Sequence, residues 1–364
     1  MSEPEIAPRQ GRLTHHGRGR ELLYISLINL LLRLVTLGIY HFWGKTRVRR
    51  YLWSQTGFAG ERFEYSGRGW ELLRGFALAM LAIVPPAALW GWLQVLLAER
   101  PLPLTLINLA FYAGLAFLTG LATFSARRYL LSRTRLRGIR FALSGSAVAH
   151  GKKLLGYTVL VGLTFGFYTP YMRNHLMAHI VENTWFGSQR ASYSGDGKGL
   201  FRKYLRAGLL SLAVVVVLGA VTAAAVFWFL LGGGTPFDLV GGLGTVLLLQ
   251  LLVPLLLFGS IGVIWLWYRG EELRYFAAHT RVGPLSLEVD YSGSRYVKFQ
   301  LLNLLLLAVT AGLAFPFVAV RVARFAADHL KVSGELDFAA IAQSTEQMPA
   351  GGEGLAEAFD LGAI

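Results

Sequence analysis

Leu37-Gly-Ile-Tyr-His-Phe-Trp-Gly-Lys-Thr-Arg-Val-Arg-Arg50 ends an apolar run with a glycine and passes through aromatics into cations. Variants of it recur, and most of the remaining chain joins them. Leu37-Gly-Ile-Tyr40 returns as Phe165-Gly-Phe-Tyr168, and Ala314-Phe-Pro-Phe-Val-Ala-Val-Arg321 resembles a further copy in which the glycine before the aromatic is missing. A second motif follows the first. Thr56-Gly-Phe-Ala-Gly-Glu-Arg-Phe-Glu-Tyr-Ser-Gly67 aligns without gaps to Thr134–Gly145 and Thr184–Gly195, and more loosely to Thr280–Gly293. Each unit therefore runs from an apolar segment through Gly-x-Tyr and a basic turn to a glycine-bounded stretch. The alternation in Arg62-Phe-Glu-Tyr-Ser66 predicts a short β-hairpin there. Such hairpins either pair into one sheet or stand alone as helix caps.

Composition places these units in a bilayer. The 364 residues are 54% hydrophobic and only 15% charged, against about 25% charged in a typical soluble domain. Net charge is +14, but the cations cluster in polar blocks that border apolar segments. That is the pattern of cytoplasmic loops beside an anionic leaflet rather than of a nucleic-acid surface. Cysteine is absent, which excludes disulfides and thiolate chemistry.

The expected fold is an all-α polytopic membrane protein with short β-hairpin inserts between its segments. Two spanning hairpins are expected, Gly75–Leu97 with Leu104–Ala126 and Ala207–Leu231 with Leu239–Tyr268, each run exceeding the roughly 20 residues needed to cross. Three repeat-related segments, Leu22–Phe42, Leu154–Met172 and Phe299–Val320, either re-enter or bring the number of spans to seven. Residues 1–16 read as a flexible tail, 17–335 as the membrane domain and 339–364 as a disordered acidic tail. Within the domain, repeat units fall near 17–74, 127–153, 154–206, 269–298 and 299–335.

The residues Thr36-Leu-Gly-Ile-Tyr40, Trp43, Arg47-x-Arg49-Arg-Tyr51, Thr56 and Phe63-x-Tyr-Ser-Gly67, with their later copies in register, resemble the YjgN-like family of bacterial inner-membrane proteins. The resemblance implies a multi-pass inner-membrane location. It brings no activity or catalytic residue with it.

Catalytic, metal or cofactor residues do not stand out. His175 and His179 have the i, i+4 spacing of metal ligands but no suitable third ligand nearby in sequence. Gly67-Arg-Gly69 and Gly195-Asp-Gly197 lack the lysine of a phosphate loop. The expectation is a protein without enzymatic activity: a membrane scaffold, or a binder of anionic membrane lipids. The alternative is a transporter or channel for a small, anionic solute. Candidate lipid or anion contacts are Arg33, Lys45, Arg47, Arg49, Arg50 and Arg173. Gly38, Tyr40, Trp43, Gly166, Tyr168 and Pro170 form the repeat hinge and its interface.

Overall fold

The repeated glycine-bounded stretches fold as predicted locally and assemble as one sheet globally. The computed structural model describes residues 10–231, 241–335 and 337–343. Hairpins form from β3 (Thr56–Phe58) and β4 (Glu61–Tyr65), β5 (Thr134–Leu136) and β6 (Ile139–Leu143), β7 (Thr184–Phe186) and β8 (Gln189–Tyr193), and β9 (Thr280–Val282) and β10 (Leu285–Val289). Their two-residue turns demand left-handed backbone. Ala59-Gly60 and Arg137-Gly138 have φ of 51° and 83°, and 53° and 76°, the type I′ pattern that matches strand twist. The threonine opening each hairpin closes the preceding helix. The hydroxyls of Thr56, Thr134, Thr184 and Thr280 donate to the carbonyls of Leu52, Leu130, Ile180 and Phe276 at 2.7–2.8 Å. Each satisfies a carbonyl that a helix end leaves unpaired.

Neighbouring hairpins pair antiparallel. Phe63 lies opposite Leu136, Phe141 opposite Phe186, and Ala191 opposite Val282. The remaining strands are β1 (Gln10–Arg12), β2 (Thr14–His15) and β11 (Leu330–Ser333), which pairs both β10 and β1. The resulting 11-stranded sheet has β1 at one end of its order and β2 at the other. Only Leu13 separates those two strands, so the N-terminal segment joins the edges into a nearly closed barrel. Its interior is packed with Phe58, Leu136, Ile139, Phe186, Leu285 and Val332, and a 3-10 turn at Phe338–Ala340 adds Phe338 and Ile341.

An all-α fold with small hairpin inserts is therefore incorrect. An isolated hairpin of such short strands is marginal, and only ring formation gives each one a buried face. The flexible tail 1–16 is corrected too: residues 10–15 are strands, while 1–9 lie outside the described residues. Of the segment 339–364, residues through Gln343 pack on the barrel. The Gln343 side chain donates to the Gly138 carbonyl at 2.6 Å, and 344–364 lie outside the described residues.

Helices emerge from the sheet in pairs. The first compact unit, Met1–Asp196, Phe276–Asp290 and Leu305–Ile364, contains the whole sheet. It holds the long pair α3 (Gly69–Leu96) and α4 (Pro101–Ser132) and the short pairs α1 (Gly19–Val35) with α2 (His41–Ser54) and α5 (Ala147–Leu163) with α6 (Thr169–Val181). Glu71 ties the long pair at its base, accepting from Tyr129 Oη at 2.7 Å and from Arg133 at 2.8 Å. Backbones of α4 and α5 approach closely. A Cβ on Gly120 would stand 2.8 Å from the Gly151 Cα, the small-residue contact common between membrane helices. Further along the chain, α9 (Gly293–Val309), whose residues through Leu304 belong to the second unit, is followed by a third hinge, α10 (Phe315–His329) and β11.

The second compact unit, Gly197–Tyr275 and Tyr291–Leu304, contains most of the long pair α7 (Lys198–Leu230) and α8 (Gly241–Ala278). There Glu271 accepts from Lys203 at 2.7 Å, Arg274 at 2.9 Å and the Gly293 amide at 3.0 Å. The predicted tip at Gly232–Asp238 lies outside the described residues. Among the described residues four helices have the length and apolar character to cross a membrane: Gly69–Leu96, Pro101–Ser132, Lys198–Trp228 and Gln250–Ala278. The first helices of the short pairs have 17 residues each, about 25 Å of rise against a hydrocarbon core of about 30 Å.

Candidate lipid-facing site

Each short pair turns through the same backbone device. Leu37-Gly38, Phe165-Gly166 and Ala311-Gly312 all take positive φ, near 50° and then near 90°. A threonine precedes each: Thr36, Thr164 and Thr310. Its hydroxyl donates to the carbonyl four residues back (Leu32, Leu160, Leu306) at 2.7 Å. The same oxygen accepts the amide four residues on (Tyr40, Tyr168, Ala314) at 2.9–3.1 Å. The glycine amide reaches back five residues, to the carbonyls of Arg33, Val161 and Leu307. This is a Schellman-type helix end reinforced by a side chain.

The third copy is thus Thr310-Ala311-Gly312, with Ala314 where the others carry tyrosine. Its glycine is present, and the register taken from the aromatic Phe315 was displaced. The threonine two residues before each hinge glycine (Thr36, Thr164, Thr310) is the signal that sequence reasoning missed.

The turns reverse the chain. Asn29 Nδ2 donates to the Gly44 carbonyl at 3.2 Å, and Tyr157 stacks on His175 at 5.4 Å. In both cases the partners lie on opposite sides of the hinge. The apices are bare: Leu37 is 94% exposed and Phe165 93%. Leu34, Val35, Val309 and Leu313 continue these exposed apolar surfaces.

The predicted cations divide. Arg33 is exposed in the last turn of α1, beside the first hinge. Lys45 and Arg173 are half-buried, each eight residues past an apex residue, and Arg50 is exposed with a 3.3 Å bond to the Gly67 carbonyl. Arg47 instead holds the hairpin, donating to Tyr40 Oη at 3.1 Å and Asn29 Oδ1 at 3.4 Å. Arg49 is 2% exposed and bonds Tyr65 Oη at 3.4 Å, so burial removes it from any lipid contact. Trp43 stacks on Tyr40 and packs against Gly69 at the start of α3. Pro170 is buried in the first turn of α6.

The two histidines at i, i+4 serve different neighbours. His175 sits among Tyr157 and Tyr168, whereas His179 stacks on His150 at 5.3 Å. Burial, with His179 and the cations Lys153 and Arg127 nearby, pulls His150 down to about 4. Among the described residues no group of three or more His, Asp or Glu is placed to hold a metal ion.

Unit 1 also contains a groove between α1, the third hinge and α10, with a cavity of about 610 Å³.

The chain falls in a recognised family. Residues 10–358 match the family described as bacterial protein of unknown function (DUF898), and the chain belongs to it. It is similar to the inner membrane protein YjgN of Escherichia coli O157:H7, 28% identical over 131 residues, covering 36% of this chain and 30% of the relative. The same identity and coverage hold for YjgN of Escherichia coli strain K12. YjgN of Salmonella typhimurium is 31% identical over 72 residues, 20% of this chain and 18% of the relative. The matched segments thus span under a third of these relatives' length. No solved structure matches. With its four apolar helices, the chain is a transmembrane protein of the inner membrane.

Proposed function

We propose that this protein is a non-enzymatic membrane scaffold whose re-entrant hairpins sit in one leaflet and gather anionic lipid around it. The observation carrying this reading is the repeated distance between apolar apex and cation. Leu37 precedes Lys45, and Phe165 precedes Arg173, by eight residues, which places each cation in the second turn of the helix that follows its hinge. The third copy lacks this spacing: its apex residue is Ala311, and the residue eight on is Ala319. An apex buried about 5–10 Å into the headgroup and acyl boundary would leave those cations among lipid phosphates. Each cation near an anionic surface contributes about 1 kcal/mol. The transporter alternative draws no support from the barrel, whose centre is filled with aromatic and aliphatic side chains.

The test is lipid enrichment around the protein in bilayers mixing phosphatidylglycerol and phosphatidylethanolamine, read with spin-labelled lipids. Wild type should enrich phosphatidylglycerol, and Lys45→Gln with Arg173→Gln should reduce that enrichment. Equal preference for both lipids in wild type would refute the proposal.

A further inference from the structure

We infer that the groove between α1 and α10 is a specific seat for a single anionic diacyl phospholipid, a site that rests on the leaflet placement proposed above. Its wall is graded. Leu306 and Leu313 lie at the hinge end, Leu23 and Phe317 in the middle, and Arg321 and Arg324 at the far end. Arg321 lies six residues into α10 from Phe315 beside the hinge, about 9 Å along the helix. Apolar contacts therefore stand at acyl depth and guanidinium groups at headgroup depth, in the order in which a phospholipid presents its parts.

Charge selects the occupant. The lining carries two arginines and no carboxylate, and guanidinium forks match phosphate oxygens in geometry as well as sign. Arg324 is set in place by its 2.9 Å bond to the Gly17 carbonyl. A cavity of about 610 Å³ lies within the roughly 300–1,000 Å³ range of small-molecule sites. The groove depends on Gly19, because a Cβ there would collide with the Phe317 ring.

Full-length protein purified in mild detergent would be examined by native mass spectrometry for retained phospholipid. Wild type should keep one phosphatidylglycerol through detergent exchange. Arg321→Gln removes a headgroup partner, and Leu23→Trp fills the middle of the apolar wall without changing charge. Each should lower retention about fivefold, equivalent to about 1 kcal/mol, while Lys152→Gln, an exposed cation of α5, should leave it unchanged. Retention of phosphatidylethanolamine in equal amount, or loss in the Lys152→Gln protein alone, would overturn the inference. If enrichment of phosphatidylglycerol around the protein persists while no lipid is retained by wild type, the groove assignment fails and the leaflet reading stands. If both are absent, both fail.

Discussion

His150 shows how a single residue is committed by its surroundings. It lies in the first turns of α5, 2% exposed, with its ring against Phe124 at 5.2 Å and His179 at 5.3 Å. Burial, the neighbouring imidazole and the cations Lys153 and Arg127 all disfavour its charged form and lower it to about 4. An unfolded histidine titrates near 6.5. Between those values the unfolded chain binds more protons than the folded one, so stability is complete above about pH 6.5 and falls as pH drops toward 4. The loss at pH 5 is about 2 kcal/mol. Thermal midpoints of the solubilised protein should therefore fall between pH 7.5 and pH 5. His150→Phe, which keeps the stacked ring, should flatten that dependence while leaving the part due to His179, also lowered by burial and Lys153. An unchanged slope in the variant would show that His150 is not the titrating group. The hinge threonines make the complementary point: one hydroxyl donates and accepts at once, so Thr36 serves two helix ends without ionising.

At the scale of elements, the N-terminal strand has the largest consequence for its size. β1 and β2 pair β11 and β3 through Gly11–Val332 and Thr14–Gly57, and buried His15 adds a 2.9 Å bond from its ring to Thr56. Deleting residues 1–15 should uncover two strand edges, structures prone to pair with other chains. The expected outcome is a lower thermal midpoint and aggregation in detergent; a flexible tail would be removable without effect. Gln10-Gly-Arg-Leu-Thr-His15 contains little of the β-branched and aromatic character that marks strands, which is why it reads as a tail. The hairpins were legible because glycine turns and alternation are local signals. Their mutual pairing was not, since strands of three to five residues carry no register information across the helices between them. The site divided in the same way. Gly38 and Gly166 were visible in sequence, whereas Arg49 looked like a surface cation until Tyr65 from a neighbouring strand covered it. The groove joins α1 and α10 from opposite ends of the chain, and no local pattern points to it.

The sheet constrains the whole molecule's topology more firmly than charge counting does. A hydrogen-bonded barrel cannot be divided by a bilayer, so β2 through β11 share one side of it. Every excursion that leaves one strand and returns to its neighbour must then cross an even number of times. The re-entrant placement proposed for the short pairs, with first helices about 25 Å long turned back at Thr-x-Gly hinges, is the zero-crossing case. The pairs α3–α4 and α7–α8 cross twice, which yields the four spans identified by length and apolarity. Seven spans would require β7 and β8 to lie opposite β5 and β6, although Phe141 and Phe186 are paired residues. The basic blocks flanking these strands predict a cytoplasmic sheet. Because the chain has no cysteine, this is open to direct labelling of single substitutions in intact cells with an impermeant thiol reagent. Ser188→Cys, Ser192→Cys and Ser286→Cys should all stay unlabelled until the membrane is permeabilised. Glu99→Cys, at the exposed turn between α3 and α4, should label at once. Labelling of the three sheet positions together, with Glu99→Cys protected, would invert the orientation and keep the fold. A split among the three would contradict the ring itself, since neighbouring strands cannot be hydrogen-bonded across a membrane.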